Sequence, residues 1–123
     1  MAKLNQLLQE IRTELGGDFI STDIVGSDGM SIAGTSADAS YDSAAASARF
    51  AMIMKLASKV SDKLNLGGVD DNMATTDQAI ILSRFLGDGS YFWVLAIPKD
   101  ATLGSVRMTM NEYTDQIWNA IPH

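Results

Sequence analysis

Residues 41–64 read YDSAAASARFAMIMKLASKVSDKL, and the reading of this stretch decides the fold. It contains neither Gly nor Pro and is rich in Ala, Lys, Leu and Met, residues that cost little in a helix. Ser40 or Asp42 can cap its start, and Gly67 and Gly68 lie just past its end. With helical periodicity, Ala46, Phe50, Ile53, Ala57, Val60 and Leu64 fall on one stripe, which is expected to be the buried one. Lys55, Lys59, Asp62 and Lys63 gather opposite, as a solvated face. A third sector holds Ser43, Ser47, Ala51, Met54, Ser58 and Ser61. Small residues at that spacing let another backbone approach closely, and Met fills irregular gaps. The stretch reads as a helix laid across a sheet and flanked by a second helix, for which a partner subunit is one source. The plainer alternative is an Ala-rich surface strip.

The chain outside this helix is long enough for one domain, 1–123, around a single core. Its 46% hydrophobic and 20% charged residues describe a globular protein rather than a disordered one. No apolar run approaches the roughly 20 residues that span a bilayer, so no membrane insertion is expected. The N-terminus lacks a cationic, then apolar, secretory pattern, which makes the cytoplasm the expected location. With no Cys, disulfides, thiolate zinc sites and thiol catalysis are excluded. A net charge of −6 and scattered basic residues argue against a nucleic-acid partner, whose phosphates need clustered cations.

Lys3 to Leu15 reads as an amphipathic helix with Leu4, Leu7, Leu8, Ile11 and Leu15 on one face, ended by Gly16-Gly17. Phe19 to Val25 alternates as a strand, Ser27-Asp28-Gly29 is a hairpin turn, and Met30 to Gly34 returns. Thr35 to Ser40 is a polar loop into the long helix. Val69 to Asp77 is the weakest strand, because Asp70, Asp71 and Asn72 are depleted in sheets. Ala79 to Leu86 and Tyr91 to Ile97 are strongly apolar strands for the middle of the sheet, joined at Gly87-Asp88-Gly89-Ser90. Arg84, the one charge between them, is expected on an open or edge-proximal face. Thr102 to Ile121 is a last helix with Leu103, Val106, Met110, Tyr113, Ile117 and Ala120 as its buried stripe, and Pro122 stops it. The order α-β-β-α-β-β-β-α implies an α+β fold with a five-stranded antiparallel sheet. Three helices crowd one face, so the terminal pair is expected opposite the long helix.

With LLQEI near the start, DIVGSDGMSIA in the first hairpin, the Ala/Ser-rich helix and YFWVLAIPKDATLG before the last helix, the chain resembles the roadblock/dynein light chain family, including its prokaryotic MglB-like members. The resemblance covers nearly the whole chain and carries no catalytic signature. It implies a homodimer in which third strands pair antiparallel into one continuous sheet and the long helices lie side by side. The candidate contacts are then Ser43, Ser47, Ala51, Met54, Ser58 and Ser61 on the helix, with Val69, Asp71, Met73 and Thr75 on the strand. An edge strand with unpaired N–H and C=O groups points the same way, although Asp70 and Asp71 could equally protect that edge.

Candidate chemistry is sparse. The single His, His123, stands at the terminus, so no Ser-His-Asp arrangement has a plausible base. No phosphate-cradling GxxxxGK[ST] is present. Asp70, Asp71 and Asp77 lack calcium-loop spacing and read as solvated loop charges, and Glu10 and Glu14 as a charged helix face. No catalytic residue, metal or cofactor is expected, and the chain does not read as an enzyme. Arg49 lies beside the apolar stripe rather than with the lysines. Buried, it needs a carboxylate, across a dimer or on a bound GTPase; otherwise its stem packs and its tip reaches water. Trp93 is expected in the core, and Trp118 partly exposed.

The function the resemblance implies is a non-catalytic homodimeric regulator of a Ras-like small GTPase, acting by ordering its switch regions. The alternatives are a small-ligand sensor, which needs an internal polar-lined pocket, and a scaffold subunit indifferent to nucleotide.

Overall fold

The computed structural model describes residues 1–38 and 43–122, apart from the side chains at 43–45, 47 and 48. The elements are α1 (Ala2–Leu15), β1 (Ser21–Gly26), β2 (Ser31–Ser36), α2 (Ser43–Lys63), β3 (Asp71–Thr75), β4 (Ala79–Leu86), β5 (Tyr91–Pro98) and α3 (Leu103–Ala120), with a short 3-10 turn at Gly16–Asp18. The expected order is the observed one. Most boundaries shift slightly: β1 begins at Ser21 rather than Phe19, β2 continues to Ser36 rather than Gly34, and β3 runs Asp71–Thr75 rather than Val69 to Asp77. The expected caps Ser40 and Asp42 lie outside the described residues.

All strands are antiparallel, in the order β2-β1-β5-β4-β3. β5 is therefore central, as its run YFWVLAI requires: six consecutive residues, Phe92 to Ile97, are buried on both faces. The β1–β2 turn is set by Gly29 at φ 88° and by the Met30 N–H, which donates to Asp28 Oδ1 at 3.0 Å. At the β4–β5 turn, Gly87 also has positive φ, and a Cβ there would collide with the Trp118 indole. Trp118 is half-buried in consequence, tilted at 58° to Tyr91.

Helices cover both sides of the sheet. On one side α1 buries Leu4, Leu7, Leu8 and Ile11, and α3 buries Val106, Met110, Tyr113 and Ile117, against Ile24, Leu82, Trp93, Leu95 and Ile97. This is the main core, and the terminal helices pair across it as their stripes foretell. Tyr113, where the two helices meet, has its pKa pushed up to about 12, first by burial and then by a hydrogen bond to Glu14 and the charges of Glu14, Glu10 and Glu112.

Inside this core the Trp93 indole N–H donates to Thr22 Oγ1 at 2.6 Å, and the Thr22 hydroxyl donates to the Val94 carbonyl at 2.9 Å. Both side chains are essentially sealed from water. Thr22→Val keeps the shape but strips the indole of its acceptor, and a buried unsatisfied donor costs about 1–3 kcal/mol. Urea unfolding of T22V should show a loss in that range with an unchanged m-value.

On the other side α2 lies alone, and here the expectation holds only in part: Ala46, Phe50 and Ala57 of the stripe are half-buried, Phe50 against the sheet-side cluster. Ala51 and Met54 face the sheet, packing with Val25, Phe92 and Val94. Ile53, Val60 and Leu64, expected in the core, are 44%, 50% and 60% exposed. The reason is steric: Ala51 has almost no side chain to hold the helix off the sheet, and unbranched Met54 fills the remaining gap. The bulkier β-branched residues are turned outward.

Arg84 also departs from expectation. It is buried on the α3 side of β4, not on an open face. One of its Nη groups donates to Asn111 Oδ1 at 2.8 Å and to Thr114 Oγ1 at 3.2 Å, and the other lies 3.5 Å from Asp71. Asp71 is held in turn by Arg107 at 2.9 Å. A buried guanidinium survives where several acceptors converge on it, and α3 supplies them.

Candidate functional site

Two unpartnered surfaces on the described residues bear on function. The first is the outer face of α2. Ile53, Leu56, Val60 and Leu64 recur at helical spacing, Met52 and Leu66 extend the patch, and Leu56 is 63% exposed. Single exposed apolar residues are ordinary, but a contiguous stripe of them marks a contact surface. Arg49 is exposed within it in the single chain, one turn before Ile53. Lys55, Lys59 and Lys63 border the stripe and are exposed, as expected of a solvated face.

The second surface is one of the sheet's two open edges, the other being β2. β3 pairs with β4 on one side, from Asp71↔Arg84 to Thr75↔Ile80, and is the terminal strand. Its other side offers backbone groups to an incoming strand. Met73 is 44% exposed and Thr75 is exposed, whereas Val69 is half-buried beside the α2-side cluster.

The residues singled out from sequence thus separate into groups. Ala51 and Met54 belong to the chain's own core, and Ser58 and Ser61 are half-buried, with the Ser61 hydroxyl donating to the Gly67 carbonyl. Ser43 and Ser47 lie in α2, but their side chains fall outside the described residues. Asp71 turns towards α3 and its two arginines, so its charge is engaged within the protomer. What sequence reasoning missed is that the bulky part of the apolar stripe, Ile53, Val60 and Leu64, faces outward. The signal was present: a helix apolar along one stripe and small along another has two faces to cover, and a sheet covers one.

Among the described residues no group of three His, Asp or Glu side chains is placed to hold a metal ion. No helix is long and apolar enough to cross a membrane.

A five-stranded antiparallel sheet with α1 and α3 on one face, a solitary α2 on the other and β3 at an open edge is the roadblock architecture. The chain has this fold in its MglB-type form. The structure of MglB from Myxococcus xanthus superposes with a TM-score of 0.86, covering 96% of this chain and 86% of that one at 12% identity. A roadblock/LC7 domain from Streptomyces avermitilis gives 0.81 over 92% of each chain at 14% identity. An MglB described in a tetrameric arrangement gives 0.85, with 96% and 87% coverage at 13% identity. No protein-family model matches the chain, and no curated protein matches it by sequence.

Proposed function

We propose that this chain is a non-catalytic homodimeric adaptor that regulates a Ras-like small GTPase. The observation that carries the reading is the exposed apolar stripe of α2, a surface too extended for a helix that has water as its only neighbour. Two copies can cover it by laying their α2 helices together, and two β3 edges can join into one sheet. The likeness of the fold to MglB, including the tetrameric form, supports self-association. The family resemblance in the sequence supports the GTPase as partner.

On this reading the dimer acts on the GTPase through its shape. It favours one arrangement of the switch segments by touching that arrangement better than the other. A differential contact of this kind must appear as a difference in affinity between nucleotide states. Calorimetry with a Ras-like GTPase from the same genome should therefore show at least about tenfold tighter binding to one nucleotide form, at one GTPase per dimer or two. Equal affinity for the GDP form and the GTP-analogue form would leave only the scaffold reading. Absence of binding would remove the GTPase altogether.

A further inference from the structure

Beneath α2, on the flank bordered by Lys55 and Lys59, the helix does not close fully onto the sheet. A cavity of about 280 Å³ remains, lined by Ala51, Lys55, Ser58 and Lys59 of α2 and by Phe85 and Phe92 of the sheet, with Ser27 and Gly89 at its mouth. Its size is just below the roughly 300–1,000 Å³ typical of sites for drug-sized molecules, which suits a smaller ligand.

The floor is apolar and fixed. Phe85 and Phe92 are cross-strand partners in the β4–β5 ladder, so the two rings stand side by side on the same face. The two hairpin turns at the mouth are tied together by the Ser27 N–H, which donates to the Ser90 carbonyl at 2.9 Å. The rim is cationic: Lys55 and Lys59 stand one helical turn apart, and both are exposed. The nearest turn carboxylates are occupied with their own backbones. Asp28 Oδ1 accepts from the Met30 N–H and Asp88 Oδ1 from the Ser90 N–H, each at 3.0 Å.

We propose that this cavity binds a small organic carboxylate, its apolar or aromatic body against Phe85 and Phe92 and its charge between Lys55 and Lys59. In a chain of net charge −6, two lysines over an aromatic floor select an anion with an apolar body rather than a cation or a bare phosphate. Lys55 and Lys59 also border the outer stripe, so the cavity shares its rim with the surface of the GTPase reading while using neither Ile53, Leu56 and Val60 nor the β3 edge.

The test is an NMR titration of the full ¹⁵N-labelled chain with 3-phenylpropionate, beside 3-phenylpropanol and inorganic phosphate. Amide shifts are expected at Ser27, Ser58, Gly89 and Phe92. The neutral alcohol should bind about fivefold more weakly, as should the carboxylate to a Lys55→Gln/Lys59→Gln variant. Ser58→Leu places a branched side chain in the cavity and should abolish the shifts. Its folding is checked by circular dichroism, and the lysine variant, altered only at exposed positions, keeps the test decisive if S58L does not fold. Equal binding of acid and alcohol would overturn the proposal, as would phosphate shifting the same amides as strongly. So would shifts confined to Ile53, Leu56 and Val60, which mark the outer stripe. Silence up to about 10 mM, well above the millimolar affinity expected of a fragment, would overturn it too.

Discussion

Leu56→Glu is expected to split the dimer and leave the protomer folded. In the isolated chain Leu56 is 63% exposed, so a glutamate there stays in water and should change folding stability by no more than about 0.5 kcal/mol. In a dimer built on the α2 stripe the same side chain is buried, and two-fold symmetry brings it near its own copy or against apolar neighbours. An uncompensated buried charge costs about 3–5 kcal/mol, which raises the dissociation constant by a hundredfold or more. Light scattering across a dilution series reads this directly. The unaltered chain should hold near twice 13.2 kDa, and L56E should fall to one. Met54→Glu supplies the contrast: Met54 is wholly buried against Val25, Phe92 and Val94, so that variant should fail to fold at all. A dimer that survives Leu56→Glu would mean the stripe serves another partner.

Removing the carboxylate of Asp71 should cost about 3 kcal/mol of folding stability, which is much for an alteration at the edge of a sheet. The cause lies beneath it. Arg84 is buried, and its formal counter-charge is Asp71, at 3.5 Å. Asp71→Ala leaves that guanidinium with the neutral acceptors Asn111 and Thr114 and breaks the 2.9 Å pair with Arg107. A second substitution, Arg84→Met, removes the stranded charge, so the double variant should regain most of the loss. Denaturant unfolding of the two single variants and the double variant closes the cycle. Additive losses would show that Asp71 and Arg84 act independently. Because the same contacts hold β3 to α3, D71A should also loosen the edge through which a second sheet would join.

Most of this architecture is legible in the sequence because its signals are local. Leu4, Leu7, Leu8 and Ile11 announce α1, and Ser27-Asp28-Gly29 announces the first turn. The unbroken apolar run from Tyr91 marks the central strand. The errors arise where a residue's fate is decided by something distant in the chain. Periodicity finds the stripes of α2, but it does not say which stripe meets the sheet. Size settles that, since Ala51 and Met54 admit a close approach that Ile53 and Val60 do not. Arg84 looked surface-bound because it is the one charge in an otherwise apolar pair of strands. Its partners come from β3 and α3, and a side-chain network of that range leaves no local trace. The same holds for the cavity at Phe85 and Phe92, which exists only because two hairpin turns and one helix meet there.

Among the described side chains, α1 and α3 share one continuous core with the sheet, whereas α2 packs through a smaller cluster with Ala51 and Met54 at its centre. On those contacts the helix that carries the contact surface is held by the smaller of the two clusters. Local opening free energies follow such anchoring, so amide protons of α2 have the shortest route to exchange with solvent. Whatever grips the outside of α2 adds to the hold that the sheet exerts from within. Association therefore slows the breathing of this one helix, and the clamped half of the molecule hardly registers it.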